Sequence, residues 1–284
     1  MILNLATLLQ SLVFSAGEIA AMIGVLFVAK LLVDLFTQVE YDEEIEGRSN
    51  LAVALHRAGF FAGIGIGLLA TVSDASGHFW KSIALMFWDG ANIAFMMLIA
   101  KFVLDQVIIP GVQNTREILD GNLSVAWVEF GGYIATGLIA YGAVSGEGGG
   151  LLSSYVFFVL GQVALVIVTV LFEKFTPFNL IKEIHEGNVS AGVMLCGILI
   201  SLGVVLEASL SGPFVGWTTD IFSFVVYAGV GLVFLWAIYL AVDKLFLPNT
   251  TMTVEIQRDR NVGASALTAT MMVVCSLVVA HAAL

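Results

Sequence analysis

The stretch EILDGNLSVA, residues 117–126, returns as EIHEGNVSAG at 183–192, as EIEGRSNLAVA at 44–54 and as EIQRDRNVGAS at 255–265. Each copy keeps Glu-Ile (Glu44, Glu117, Glu183, Glu255) and then, five or six residues after the Glu, an Asn that opens an apolar run. The asparagines Asn50, Asn122, Asn188 and Asn261 stand 72, 66 and 73 residues apart. Self-similarity at a near-constant period marks a duplicated structural unit. Pro110, Pro177 and Pro248 precede the last three asparagines by 12, 11 and 13 residues, where a proline stops the helix before it. Asn at a helix start offers a side-chain oxygen to the unpaired N–H groups of the first turn, so N-capping is the expected role of all four. Gly121 and Gly187 ease a tight entry to two of these helices. The upstream Glu is placed to complement the positive helix end or to bind a basic residue of a neighbouring unit.

Working outward from these turns, the chain is 59% hydrophobic and 12% charged, with mean hydropathy +0.99. Soluble domains carry about 25% charged residues, so this is an integral membrane protein. Apolar runs of about 20 residues span a bilayer as helices. Eight occur, near 15–36, 51–72, 82–108, 123–145, 151–173, 189–211, 221–246 and 262–283. Their continuous apolarity is not the alternating pattern of a membrane barrel. The period of the repeat covers one pair of spans, so the expected architecture is an all-α bundle of eight transmembrane helices built as four parallel two-helix repeats. These fall into a first four-span module, 1–145, and a second, 146–284. Met1 opens an apolar segment with no basic n-region, so no cleaved signal peptide is expected.

Basic residues set the expected orientation. Ten of the eleven Lys and Arg lie in or beside the repeat turns, and Lys81 alone lies at the other side. The positive-inside rule then places the repeat turns in the cytoplasm and both termini outside. The motif of acidic-Ile, short turn, Asn and small-residue-rich span resembles the YjfL-like bacterial inner-membrane family, a family built on a domain of unknown function. That resemblance covers essentially the whole chain as two tandem copies of a four-span module. It implies a multi-pass protein of a bacterial inner membrane and brings no activity, ligand or catalytic residue. The first and fourth turns carry one extra residue between Glu and Asn, so their geometry is expected to differ from the other two.

Function is fainter. The net charge of −11 sits largely in loops, and no basic stripe supports nucleic-acid binding. No phosphate loop, HExxH motif or Cys/His metal spacing occurs, so no catalytic residue, cofactor or metal is expected. Cys196 and Cys275 fall inside spans as small core residues.

Ionisable groups within spans are costly and so are kept beside partners or water. Arg57 and Glu129 each follow their unit's Asn by seven residues, about 10 Å into the helix, and are expected to pair across units. His56 adjoins Arg57. Glu18, Lys30 and Asp34 recur at the same offsets as Asp89, Lys101 and Asp105. Each Lys-x-x-x-Asp forms an intrahelical pair, and Glu18 and Asp89 are expected to face the protein interior.

The glycines of the second span in each unit, Gly59, Gly63 and Gly67 first among them, favour close helix packing, with a pore lining as the alternative. Two functions are compatible with this pattern. One is a structural or assembly component whose charged turns recruit membrane or cytoplasmic proteins. The other is a proton or small-cation path at Glu18, Asp89 and Glu129. The bilayer is the one sure partner, and oligomeric state is not encoded in the pattern. A cysteine placed at position 121 or 187 should react with an impermeant reagent only after the inner face is opened; labelling in intact cells would overturn the orientation.

Overall fold

The computed structural model describes residues 5–36, 39–72, 79–110, 114–146 and 148–282. Among them there is helix and no strand. Four units follow one another: α1 (Leu5–Phe36) with α2 (Leu51–Leu68); α3 (Phe79–Val103), α4 (Asn114–Leu119) and α5 (Leu123–Ser145); α6 (Gly150–Phe175), α7 (Leu180–His185) and α8 (Val189–Leu210); and α9 (Trp217–Phe246), α10 (Met252–Gln257) and α11 (Val262–Ala282). Eight of these helices are long and apolar enough to cross a membrane, and they match the eight apolar runs. The prolines act as expected: α6 and α9 end at Phe175 and Phe246, two residues before Pro177 and Pro248. The third span runs through a π-turn, Leu104–Ile108, and stops just before Pro110.

The second helices of the units, α2, α5, α8 and α11, stand in a row, each packed on the next. The first helices form a second layer: α3 seats against α2 and α5, α6 against α5 and α8, and α9 against α8 and α11. Membrane helices gain little from apolar burial against one another, so close backbone approach has to supply the attraction. Glycine permits it. A Cβ at Gly59 would lie 2.6 Å from Cα of Phe130, one at Gly131 2.7 Å from Cα of Cys196, and one at Gly197 2.7 Å from Cα of Ala269. All three glycines stand nine residues after their unit's Asn. These faces are filled by neighbouring backbone, which settles the choice between close packing and pore lining in favour of packing.

Each repeat turn is more ordered than its sequence suggests. In the last three units it forms a short helix, α4, α7 or α10, whose Ile inserts into the core: Ile118, Ile184 and Ile256 are buried. The first unit makes a π-turn at Glu43–Gly47 instead, so its extra residue is absorbed as a wider turn. The residue before every Asn is left-handed, with φ of 53° at Ser49, 89° at Gly121, 74° at Gly187 and 46° at Arg260. The backbone N–H of each Asn then donates to the carbonyl of its own unit's Glu, at 2.9 Å for Asn50, Asn122 and Asn188 and 2.8 Å for Asn261. The expected difference between inserted and uninserted turns is confined to the stretch upstream of that residue.

The asparagines do cap, and they do more. Asn50, Asn122 and Asn188 each accept two first-turn N–H groups, and Asn261 accepts from Ala264 N. Their amides donate to the Glu of the same unit, for instance Asn188 Nδ2 to Glu183 Oε2 at 2.8 Å. They donate as well to the short helix of the next unit: Asn50 to Leu119 O at 2.9 Å, Asn122 to Ile184 O and His185 O at 3.3 Å, and Asn188 to Ile256 O at 2.8 Å. The upstream Glu also meets a basic residue of the following unit, with His185 3.3 Å from Glu117 and Arg260 3.7 Å from Glu183. One side chain therefore closes a turn, starts a helix and ties two units together.

This triple role changes the expected mutational pattern. Asn188→Ala should lose a cap, about 1 kcal/mol, and strand the buried donor's partners, about 1–3 kcal/mol more. Asp keeps the cap but cannot donate, and it sets a second carboxylate against Glu183. Asn188→Asp should therefore lower the thermal midpoint in detergent at least as far as Ala does; recovery by Asp would reduce the residue to a simple cap. Because Gly121 and Gly187 have positive φ, the neighbouring exposed Asp120 and Glu186 are the better places for the orientation-reporting cysteine.

Candidate functional site

Below the first two repeat turns, α1, α2, α3 and α5 converge on a cluster of charge inside the membrane-spanning region. Glu129, on α5, is fully buried and meets Nδ1 of His56, on α2, at 2.5 Å through Oε2. Arg57, next on α2, is 5% exposed and donates through Nη2 to Oδ1 of Asp34 on α1. Its guanidinium lies 3.9 Å from the ring centroid of Tyr41, a cation–π contact that offsets part of its desolvation. Lys101, on α3, pairs with Asp105 at 3.2 Å and donates to Thr115 Oγ1 at 3.2 Å. Lys101 and Asp105 are also electrostatic neighbours of Glu129. The two intrahelical Lys–Asp pairs form as expected, Lys30–Asp34 being the longer at 3.8 Å.

The expected Arg57–Glu129 contact is not made. Equal offsets from Asn put the two residues on equivalent faces of neighbouring helices in a row, so they point the same way. The residue that meets Glu129 is one position earlier, His56, and Arg57 turns outward to α1. Glu18 is buried at 7% exposure on α1, as expected, while Asp89 is half-buried on α3. Neither lines the cavity described next.

Beside the cluster lies a cavity of about 320 Å³, within the range that holds small ligands. Its polar wall consists of Tyr41, His56, Arg57, Lys101 and Tyr133. Its outer rim includes Val28, Phe87, Phe95 and Leu98, which are exposed on the lipid-facing surfaces of α1 and α3. The cavity thus opens toward the hydrocarbon between these helices. Among the described residues, Arg57 Nη1, Asn114 Oδ1, Glu129 Oε1, Tyr133 Oη and His185 Nδ1 are buried with no hydrogen-bond partner, three of the five within this cluster. Such atoms are uncommon because each costs about 1–3 kcal/mol. No group of three or more His, Cys, Asp or Glu is arranged for a metal among the described residues.

The second module has the same cavity without the chemistry. A pocket of about 300 Å³ there is lined by Phe172, Leu202, Trp236, Tyr239 and Met272, among others. Counting from the repeat asparagines, His56 and Arg57 become Met194 and Leu195, and Glu129 and Tyr133 become Thr268 and Met272. Counting from Pro110 and Pro248, Lys101 becomes Tyr239. Tyr41 and Tyr133 were not among the residues singled out from sequence. Comparing the two modules position by position is the signal that finds Tyr133.

The geometry defines a multi-pass membrane protein made of tandem helical repeats, with one of two equivalent intramembrane cavities equipped with ionisable groups. The chain belongs to the family described as Domain of Unknown Function (DUF350), which matches residues 4–144 and again 148–283. It is similar to a UPF0719 transmembrane protein of Aquifex aeolicus (strain VF5), 27% identical over 258 residues, covering 89% of this chain and 93% of the relative. No solved structure matches.

Removing one partner of a buried hydrogen-bonded pair leaves the other unsatisfied, at a cost of about 1–3 kcal/mol. His56→Ala and Glu129→Ala should each destabilise by that order, and the double variant by far less than their sum. The coupling measured in a thermal-stability cycle should exceed that between Arg57 and Glu129; the reverse order would restore the Arg57–Glu129 pairing.

Proposed function

We propose that this chain is a membrane-embedded binding component in which the first module receives a small molecule from the lipid phase and the second supports it as a rigid copy. The observation that carries this reading is the pairing of a lipid-open apolar mouth with a lining that includes Tyr41, His56, Arg57, Lys101 and Tyr133. Intramembrane charge is expensive and is kept where it does a job. The second module, with Met194, Leu195, Tyr239 and Thr268 where the first has His56, Arg57, Lys101 and Glu129, keeps the same helix row without those four ionisable groups, so packing alone does not call for them.

The path for protons or cations has less support. A pseudo-fourfold axis needs α2, α5, α8 and α11 around a centre, and they stand in a row with their glycine faces closed. The assembly reading is compatible with binding, since the second and third turns expose charged residues, Arg116 and Asp120 in one and Lys182 and Glu186 in the other. In this proposal the surface of the turns faces the cytoplasm of a bacterial cell, the chain lies in the inner membrane with both termini outside, and soluble partners meet the turns.

Ala94 lines the cavity on α3, and Ala94→Phe should fill part of it. Mass spectrometry of solvent extracts from protein purified in mild detergent should show a compound enriched over bulk lipid in the wild type. The enrichment should fall at least about tenfold in Ala94→Phe with the thermal midpoint kept. Equal extracts from the two proteins would remove the binding role.

A further inference from the structure

We infer that Asp105 and Glu129 form a buried proton-binding site in the first module, with one exchangeable proton held between the two carboxyl groups and supplied from the side of the repeat turns. The site does not depend on the binding role proposed above.

The two acids come from different elements. Glu129 lies on α5, and Asp105 lies in the π-turn that ends the third span. Their side chains are within hydrogen-bonding range of each other. Both oxygens of Asp105 already have donors, Asn114 Nδ2 on Oδ1 at 3.2 Å and Lys101 Nζ on Oδ2 at 3.2 Å. Glu129 Oε2 faces Nδ1 of His56 at 2.5 Å, and Glu129 Oε1 is buried with no donor. Two ionised carboxylates at this range repel, and neither has a hydrogen to give. One proton between them removes the repulsion and brings Glu129 Oε1 into a hydrogen bond.

Charge counting gives the same number. Arg57 and Lys30 are balanced by Asp34 and Asp42. That leaves Lys101, His56, Asp105 and Glu129. With Lys101 charged and His56 neutral, the two carboxylates hold one negative charge in surplus, which is costly within a span. One bound proton cancels it. A proton on His56 balances the sum too, but it leaves Asp105 and Glu129 facing each other as anions. The other titratable groups nearby are Tyr41 from the first turn, Tyr133 on α5, and Cys196 on α8, whose backbone lies against Gly131. The charges of α4 and α7 pair within the turns, as Arg116–Asp120 and Glu117–His185.

The second module separates this pair from the needs of the fold. Counting from Pro110 and Pro248, Asp105 becomes Asp243, and Glu129 is Thr268. Asp243 accepts from Met252 N at 2.7 Å where α10 begins, so an acid at this place has a structural use by itself. The second carboxyl is what the first module adds. Its links to water run toward a turn, since Lys101 donates to Thr115 Oγ1 and Asn114 opens α4. Past Glu129 and Arg57, toward the other side, α5 and α2 carry no further charged residue. The site therefore opens toward the turns and is distinct from a path across the membrane.

The test is infrared difference spectroscopy of the full chain in lipid nanodiscs, stepped from about pH 4 to about pH 10, a range that brackets free carboxyl and imidazole groups. The C=O stretch of a protonated carboxylic acid should persist at about pH 7, where free carboxyls are ionised, and should shift in deuterium oxide. Glu129→Gln and Asp105→Asn should each abolish that band, because the carboxyl left behind keeps its own donors and ionises. Asp89→Asn should leave it in place. Glu129→Gln still accepts from His56 and donates to Asp105 with no proton to lose. Its thermal midpoint should stay level with rising pH where that of the wild type falls as the band disappears. Absence of the band from the wild type at about pH 7 would overturn the site. So would a band that survives both variants, since the proton would then belong to another carboxyl. If one variant fails to fold, the other decides.

Discussion

The fold depends on one carboxamide used four times. The first turn of each helix leaves N–H groups without an intrahelical partner, and a repeat turn must also end one helix and begin another within a few residues. Asn meets both demands because its side chain carries an acceptor and two donors on one carbon. The acceptor satisfies the helix start, and the donors satisfy the unit's own Glu and the last carbonyls of the following short helix. Asp, Ser and Thr could cap, but none combines a cap with two donated bonds. Ser124 and Ser190 extend the same linkage, donating to the carbonyls of Asn188 and Asn261 at 2.6 and 3.1 Å. Once the turns are joined side by side, the helices that follow them are committed to a row, and glycine nine residues along lets the row close to backbone contact.

A row made this way is tolerant of what lies on its outer side. The hydrogen bonds that define it run through the turns and the glycine faces, away from the cavities between the two helix layers. One module could therefore keep His56, Arg57, Lys101 and Glu129 while the other holds Met194, Leu195, Tyr239 and Thr268 at the equivalent places. The charged module carries the cost of desolvation and the orphaned Arg57 and Tyr133 atoms. The apolar module carries α8, the most thoroughly buried span of the molecule. That division fits a pair in which one copy supplies chemistry and the other supplies rigidity.

Much of this was legible from residues alone. Long apolar runs name the spans, Asn names the helix starts, and Lys-x-x-x-Asp names its own pairs because an α-helix fixes their separation. What escaped depends on the relation between helices, which spacing along one helix does not contain. Equal offsets from Asn give Arg57 and Glu129 the same distance along their helices, but distance along the axis is one coordinate and azimuth is another. In a row of like units, equivalent residues point in parallel, and the residue that faces Glu129 comes from a different offset. Ile118, Ile184 and Ile256 looked like part of a turn motif because a six-residue helix is too short to show a period. Tyr41 reaches the site from the helical start of the first turn, and no pattern within its own segment marks it.

The edge of the row is recorded in the sequence as well. Where a unit has a neighbour on its forward side, the position nine residues after Asn is glycine, and an added Cβ would strike that neighbour's backbone. In the fourth unit the same position is Thr270, which is exposed, and Asn261, also exposed, donates its amide to Glu255 within its own unit among the described contacts. The selective demand for glycine follows from the approach of a second backbone and disappears with it. A β-branched residue at this offset is therefore tolerated only where no second helix closes to that distance, and its appearance in one unit of four distinguishes the open side of the row from the three closed ones.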